Sequence, residues 1–323
     1  MDQLRDRAHT EFLDDQEFDD EGFSTPLHAI RLLARIEAIR PSNPTRNKWN
    51  LERVPVTMAN SKPIETNDGD SGLLFVRIDR HPSGRLHIPK QAFLELVRSF
   101  RIDHYTLHML RRESYGFAEF HRRKVAKDGT VTFYVGTMSA FIIWPHVNST
   151  GWSRGFIVPC ISDSIGGRED IFSRYAQNIK THLELVPFPW FLRYIATVET
   201  VQWIDRTYEN ALHSLRRAER ITGYGCWESW NPAPAEIHIE DLAEISKRVG
   251  FTAAALANVV RHIKIATQLI QIPRSGPAMD AEDVQEVHHA LDIIRDQMSV
   301  RSTDTEYIQE RARTQLQVVS YLG

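Results

Sequence analysis

An α+β fold is predicted: a mixed, mostly antiparallel sheet flanked by helices, followed by a stalk-like bundle of long helices. Three observations predict it. Leu242, Val249, Leu256, Ile263 and Ile270 recur every seventh residue, with Ile245, Val259 and Ala266 three residues further on and Thr252 as the polar exception. Such a repeat holds one stripe of a helix against a partner and favours long, slightly supercoiled pairs. A second helical spacing runs through Val284, Val287, Leu291, Ile294 and Met298, then Ile308, Ala312, Leu316, Val319 and Leu322. Between residues 116 and 158, by contrast, short β-rich runs alternate with Gly, Asp, Asn and Pro turns.

In chain order, residues 1–23 are acidic and poor in apolar groups, and the run Asp14, Asp15, Glu17, Asp19, Asp20, Glu21 predicts a flexible, solvated leader. Hard cations prefer carboxylate oxygens, but the run lacks the Asp-x-Asp-x-Asp-Gly order of a calcium loop. Thr25-Pro26 suits a helix start, and Leu27, Ile30, Leu33 and Ile36 give that helix an apolar face ended by Pro41. Residues 41–72, rich in Pro, Asn, Ser and Gly, read as a long connection. Leu73 to Ile78 reads as a buried strand, and Pro89 to Phe100 as a short amphipathic helix with Phe93, Leu96 and Val97 inward. Strands follow at 116–120, 131–135, 140–144 and 155–158, with Lys127-Asp128-Gly129 as a hairpin turn. Helix returns over 168–183 and again from Pro189 to Glu219, where Phe191, Ile195, Val198, Val201, Ile204, Tyr208, Leu212 and Leu215 form the inward stripe. Gly223, Gly225, Pro232 and Pro234 end it. The expected organisation is an acidic leader (1–23), an α/β domain (24–185) and a helical domain (186–323).

Composition bounds the chemistry. At 323 residues two structural parts are expected, and a hydrophobic fraction of 42% supports an ordinary core. A formal net charge of −3 gives no basic field for a polyanion. Two cysteines, Cys160 and Cys226, cannot build a disulfide framework, and the amino terminus lacks the apolar core of a secretory signal. The two most apolar windows, 183–204 and 251–272, carry charges and prolines that a spanning helix would exclude, so a soluble, cytoplasmic chain is expected.

Each motif that suggests chemistry also has a plainer reading. Gly151-Trp-Ser-Arg-Gly155 fits the nucleophile-elbow pattern around Ser153, but that chemistry needs strand, strained turn and helix, and Phe156-Ile-Val-Pro continues as strand. His104 and His108 have the four-residue spacing of helical metal ligands, yet the intervening Tyr105-Thr-Leu suits a strand and no carboxylate lies between. Adjacent His288 and His289 point to different helix faces, and Glu240 and Asp241 after His238 fit a helix start and its dipole. Arg111, Arg112 and the His121–Lys124 run surround Tyr115, Phe117 and Phe120; nucleic-acid platforms mix cations and aromatics this way, and so do edge strands with outward cations. Cys226 has no neighbouring histidine and acid, which leaves a quiet thiol, with Trp227 and Trp230 packing the turn. No catalytic residue and no cofactor site is assigned, and the metal-binding residues stay unknown.

Several stretches together resemble the cytosolic part of the fungal CorA-like transporter proteins, a branch of the CorA magnesium-transporter superfamily. They are Pro89-Lys-Gln-Ala-Phe93 to Phe100 with its short strand, the aromatic segment ending Trp152-Ser153-Arg154, the helix from Trp190 to Arg220, and the terminal helices with Leu242, Leu256, Leu291 and Leu316. The resemblance implies an α/β domain before long stalk helices, self-association through those helices, no enzymatic activity, and Mg²⁺ as a regulatory ion between subunits. It also implies that the segment around Ser153 is structural. Family members continue into two membrane spans with a Gly-Met-Asn motif. Neither is present in residues 1–323, so this stretch is not expected to conduct ions. No acidic residue aligns with a family metal motif. The alternative is a soluble interaction or regulatory protein that keeps the fold without transport.

Overall fold

The computed structural model describes residues 2–15, 17, 18, 27–35, 48–56, 72–81, 83–121, 130–147, 152–160, 170–186, 188–225, 238–272 and 282–322. The chain divides into two compact units, Met1–Ala196 and Thr197–Gly323.

The first unit is built on seven strands: β1 (Leu27–Arg35), β2 (Lys48–Val56), β3 (Gly72–Arg77), β4 (Gly116–His121), β5 (Thr130–Gly136), β6 (Ala140–Val147) and β7 (Trp152–Pro159). Their order is β2-β1-β3-β7-β6-β5-β4, and only the β3–β7 pair is parallel. The helices of this unit are α1 (Asp2–Asp15), α2 (Lys90–Ser99), α3 (His104–Arg111), α4 (Ile171–Thr181) and the first turns of α5 (Phe191–Thr222). Side chains alternate across a strand. On one sheet face Leu74, Val76, Tyr134, Phe141, Ile143, Phe156 and Val158 meet Phe93, Leu96 and Val97 of α2, Leu107 and Leu110 of α3, and Phe12 of α1. On the other, Phe75 lies against Phe172 and Tyr175 of α4 at 6.4 and 6.0 Å between ring centroids. Burial from both sides makes β3, β5 and β6 near-continuous apolar runs rather than alternating ones.

Four segments differ from the sequence expectations. The leader expected to be flexible over 1–23 forms α1 over Asp2–Asp15, followed by an isolated bridge between Phe18 and Leu86. Its apolar content is small but well placed. Ala8 and Phe12, four residues apart, are buried, and Phe12 stacks on Phe93 at 5.4 Å. Arg5 meets the fully buried carboxylate of Asp103 at 2.7 Å, and Lys90 donates to the Leu13 carbonyl. The helix expected after Thr25-Pro26 is instead β1, paired along its length with β2 and with β3 from Ala29 to Leu33. The expected connection 41–72 contains β2. At His104–His108, where a strand suits the residues at least as well as a helix, the chain forms α3; Asp103 caps that helix by accepting from the Tyr105 amide at 3.0 Å.

The second unit consists of the rest of α5 with α6 (Ile239–Leu269) and α7 (Glu282–Leu322). The seven-residue repeat of α6 is buried throughout, from Leu242 and Ile245 to Ala266 and Ile270. Thr252, its polar exception, gives its hydroxyl to the Arg248 carbonyl within the helix. In α7 the buried seam is Val284, Leu291, Met298, Thr305, Ala312 and Val319, again every seventh residue. Gly223 follows α5 at φ +73°, the left-handed turn that lets a helix stop. Among the described residues no helix is long and apolar enough to cross a membrane.

Phe12→Ala tests the docking of α1. Removing a fully buried ring is expected to destabilise the first unit by about 3–5 kcal/mol in urea or thermal unfolding. An unchanged melting curve would return residues 2–15 to the status of a solvated leader.

Candidate functional site

The strongest catalytic candidate is the Ser153 motif, and the sheet brings a histidine to it. Ser153 on β7 is the cross-strand partner of His146 on β6, and the serine hydroxyl lies 2.9 Å from His146 Nδ1. The contact has the geometry of a nucleophile and its base. Its setting does not. The two side chains are 2% and 1% exposed, at the facing ends of two paired strands, and β7 continues past Ser153 as strand to Pro159 where the elbow would turn into a helix. Burial pushes His146 down to about 4, so the imidazole is a weak proton acceptor at neutral pH. Among the described residues no carboxylate orients the ring.

The last glycine of the motif has a packing reason. A Cβ on Gly155 would lie 2.4 Å from the Ile143 carbonyl oxygen and 2.6 Å from Trp144 Cβ, so only glycine lets Trp144 cross β7 at this point. The ring of Trp144 then stacks on Phe133 at 5.0 Å. The pattern reflects sheet packing.

His104 and His108 share α3, but His108 Nδ1 faces Glu11 Oε2 of α1 at 3.5 Å, and burial followed by the charge of Arg112 lowers its pKa. Among the described residues no group of three His, Cys, Asp or Glu side chains is placed to hold a metal ion. In the acidic run, Asp14 is exposed on α1 and Glu17 faces Arg85 at 3.5 Å, while Asp19, Asp20 and Glu21 lie outside the described residues. The aromatics among the basic residues are occupied. Tyr115 packs on Phe141 at 6.1 Å, Phe120 on Tyr105 at 5.6 Å, and Phe117 lies under the Arg193 guanidinium at 4.4 Å. Arg193, itself buried, binds Glu119 at 2.6 Å. These rings therefore belong to β4 and its cover, and β4 is an edge strand. Residues 122–124 and Cys226, Trp227 and Trp230 lie outside the described residues. His288 and His289 sit on α7, half-buried and exposed respectively, and Glu240 and Asp241 occupy the first turn of α6 after His238.

Buried and half-buried polar side chains of the second unit were not singled out by the sequence. Arg301 of α7 reaches Asp205 of α5 at 2.6 Å and lies 4.1 Å over the ring of Tyr208. Arg311 binds Glu219 through two hydrogen bonds of 2.9 and 2.6 Å, and the Thr222 hydroxyl donates to Gln315 at 2.9 Å. Gln315 also donates to the Tyr224 carbonyl. His262 of α6 is fully buried against Trp203 of α5, 4.0 Å between centroids, with Nδ1 donating to the Asn258 carbonyl at 2.7 Å. Burial pushes it down to about 4. The missed signal was phase. Arg301, Thr305 and Gln315 fall where the repeat of α7 continues through polar residues.

The surface of α7 also carries an exposed apolar row, in which the Tyr307 ring lies under the Arg311 guanidinium at 5.5 Å. Ile293, Val300, Tyr307 and Tyr321 are exposed and recur on one column seven or fourteen residues apart, two positions on from the buried seam, with Thr314 between the last two. Val300 is 62% and Tyr307 57% exposed. No protein-family model matches the chain, and no curated protein matches it.

His146 and His262 set a pH dependence. Both have an ordinary value of 6.5 and a folded value near 4, so between these pH values the unfolded chain binds protons that the folded chain excludes. Stability is therefore full above pH 6.5 and declines as pH falls towards 4, by roughly 2–3 kcal/mol for each histidine. Unfolding of the unaltered protein and of the His146→Gln and His262→Gln variants across pH 4–8 measures it; a flat difference between variant and parent would refute the assignment for that residue.

Proposed function

We propose that this chain is a non-catalytic, cytosolic portion of a CorA-like divalent-cation transporter that acts through helix packing and self-association. The observation that carries the reading is α7. Its 41 residues extend about 60 Å, and it bears a buried seam plus a second, outward apolar row. A helix satisfied within one copy has no use for that second row. The element order adds support, since a sheet unit followed by long helices is the succession the family resemblance implies. In this reading Mg²⁺ bound by surface carboxylates between copies biases two arrangements of the helices, to the extent of its differential affinity for them. The buried setting of Ser153, with no carboxylate on the His146 ring among the described residues, favours a non-enzymatic role. Transport separates this reading from that of an interaction protein with the same fold. Two apolar spans encoded after Gly323 support the transporter, and an immediate stop codon supports the interaction protein.

Size-exclusion chromatography with light scattering and titration calorimetry in millimolar Mg²⁺ test the mechanism. The expected results are a shift in assembly and a measurable heat of binding; a site of about 1 mM affinity adds about 1.4 kcal/mol of stability at about 10 mM ion. No heat, no shift in assembly and no rise in melting temperature would remove the ion-gating part.

A further inference from the structure

We infer that the outward row of α7 seats in the groove between α5 and α6 of a second copy of this chain; the inference rests on the self-association proposed above. The groove has a volume of about 420 Å³ and is walled by Asn210 and Ser214 of α5 and by Lys247 and Phe251 of α6. Ala211 and Ala255 also line it, and their small side chains leave the space that a partner's larger ones would occupy. Phe251, 67% exposed, stands at its edge.

Length and charge both fit this occupant. The lining residues of α6 run from Glu244 to Ala255, about 16 Å of helix. Val300 and Tyr307, seven residues apart, are separated by about 10 Å, so two successive side chains of the row fit within one groove. One column round from the row, three residues after Ile293 and Tyr307, stand the exposed carboxylates of Asp296 and of Glu310, the latter shared with Arg313 at 3.0 Å. The groove offers the opposite sign in Lys247, which is exposed, and in Arg248, which shares its charge with Glu244 at 3.1 Å. Among the described residues the groove is open and the row stays exposed. Two copies satisfy both by a head-to-tail contact, the type of interface that continues until a ring closes.

Complementation of two variants of the full chain tests this without knowledge of the register. Ala255→Trp fills the groove and leaves the row, whereas Val300→Asp spoils the row and leaves the groove. Each is expected to weaken self-association by at least about tenfold in sedimentation equilibrium. An equimolar mixture is expected to recover a pair of the parent's affinity that stops at two copies, because one groove and one row remain intact. Far-UV circular dichroism checks folding. Should Ala255→Trp unfold, Ser214→Trp fills the groove from the α5 side and Lys247→Glu opposes the acidic column. Association that survives the groove variants, or a mixture as weak as its components, overturns the groove while leaving self-association standing; pairing through the rows alone is one such outcome. An unaltered protein that stays monomeric at millimolar concentration overturns both.

Discussion

The parallel pairing of β3 with β7 is the constraint on which the first unit depends. Each flanking group, β2-β1-β3 and β7-β6-β5-β4, is antiparallel within itself and can be built from local turns. Joining them side by side in the same direction requires a long crossover, and residues 78–151 between the two strands supply it. That crossover contains α2 and α3, which cover one face, and β4 to β6, which extend the sheet. The seam consequently lies in the centre with both faces covered, where only apolar or internally bonded side chains are tolerated. Ser153 lies within that pairing, opposite Leu73, and His146 on the neighbouring β6 bonds its hydroxyl. Both side chains are buried, at 2% and 1% exposure.

The second unit follows a different logic. Its core is linear, and its apolar seams alone would tolerate several registers. Polar groups at seam positions remove that freedom. Arg301 with Asp205 and Arg311 with Glu219 join α7 to α5 at two levels, and the Thr222–Gln315 pair adds a third. Arg311–Glu219 is largely buried, so removing one partner strands a charge, whereas Arg301–Asp205 is partly solvated and screened and contributes less. Their effect here is to specify which turn of α7 meets which turn of α5.

Much of this architecture was legible in the residues. The repeat from Leu242 to Ile270 identified α6 with its buried face, and the turn-bounded runs between 116 and 158 identified β4 to β7. What failed was local pattern set against tertiary pairing. Leu27, Ile30 and Leu33 are spaced as on a helix face, yet strands on both sides supply hydrogen bonds that a short isolated helix could not match. α1 escaped notice because its docking rests on few apolar groups and on Arg5, whose buried partner Asp103 is remote in sequence. Asp103 itself was the readable cap of α3. At the candidate site, the strand context of Ser153 was legible, whereas its pairing with His146 depended on a register that no single strand encodes.

The polar layers joining α5 and α7 carry one more consequence. Sliding α7 by a single heptad, about 10 Å, would restore most apolar contacts of the repeat but would move both guanidinium groups away from their carboxylates. Such a ratchet step is therefore closed to these two helices. Motions that keep α5 and α7 in register, such as a joint tilt or rotation, leave both pairs intact.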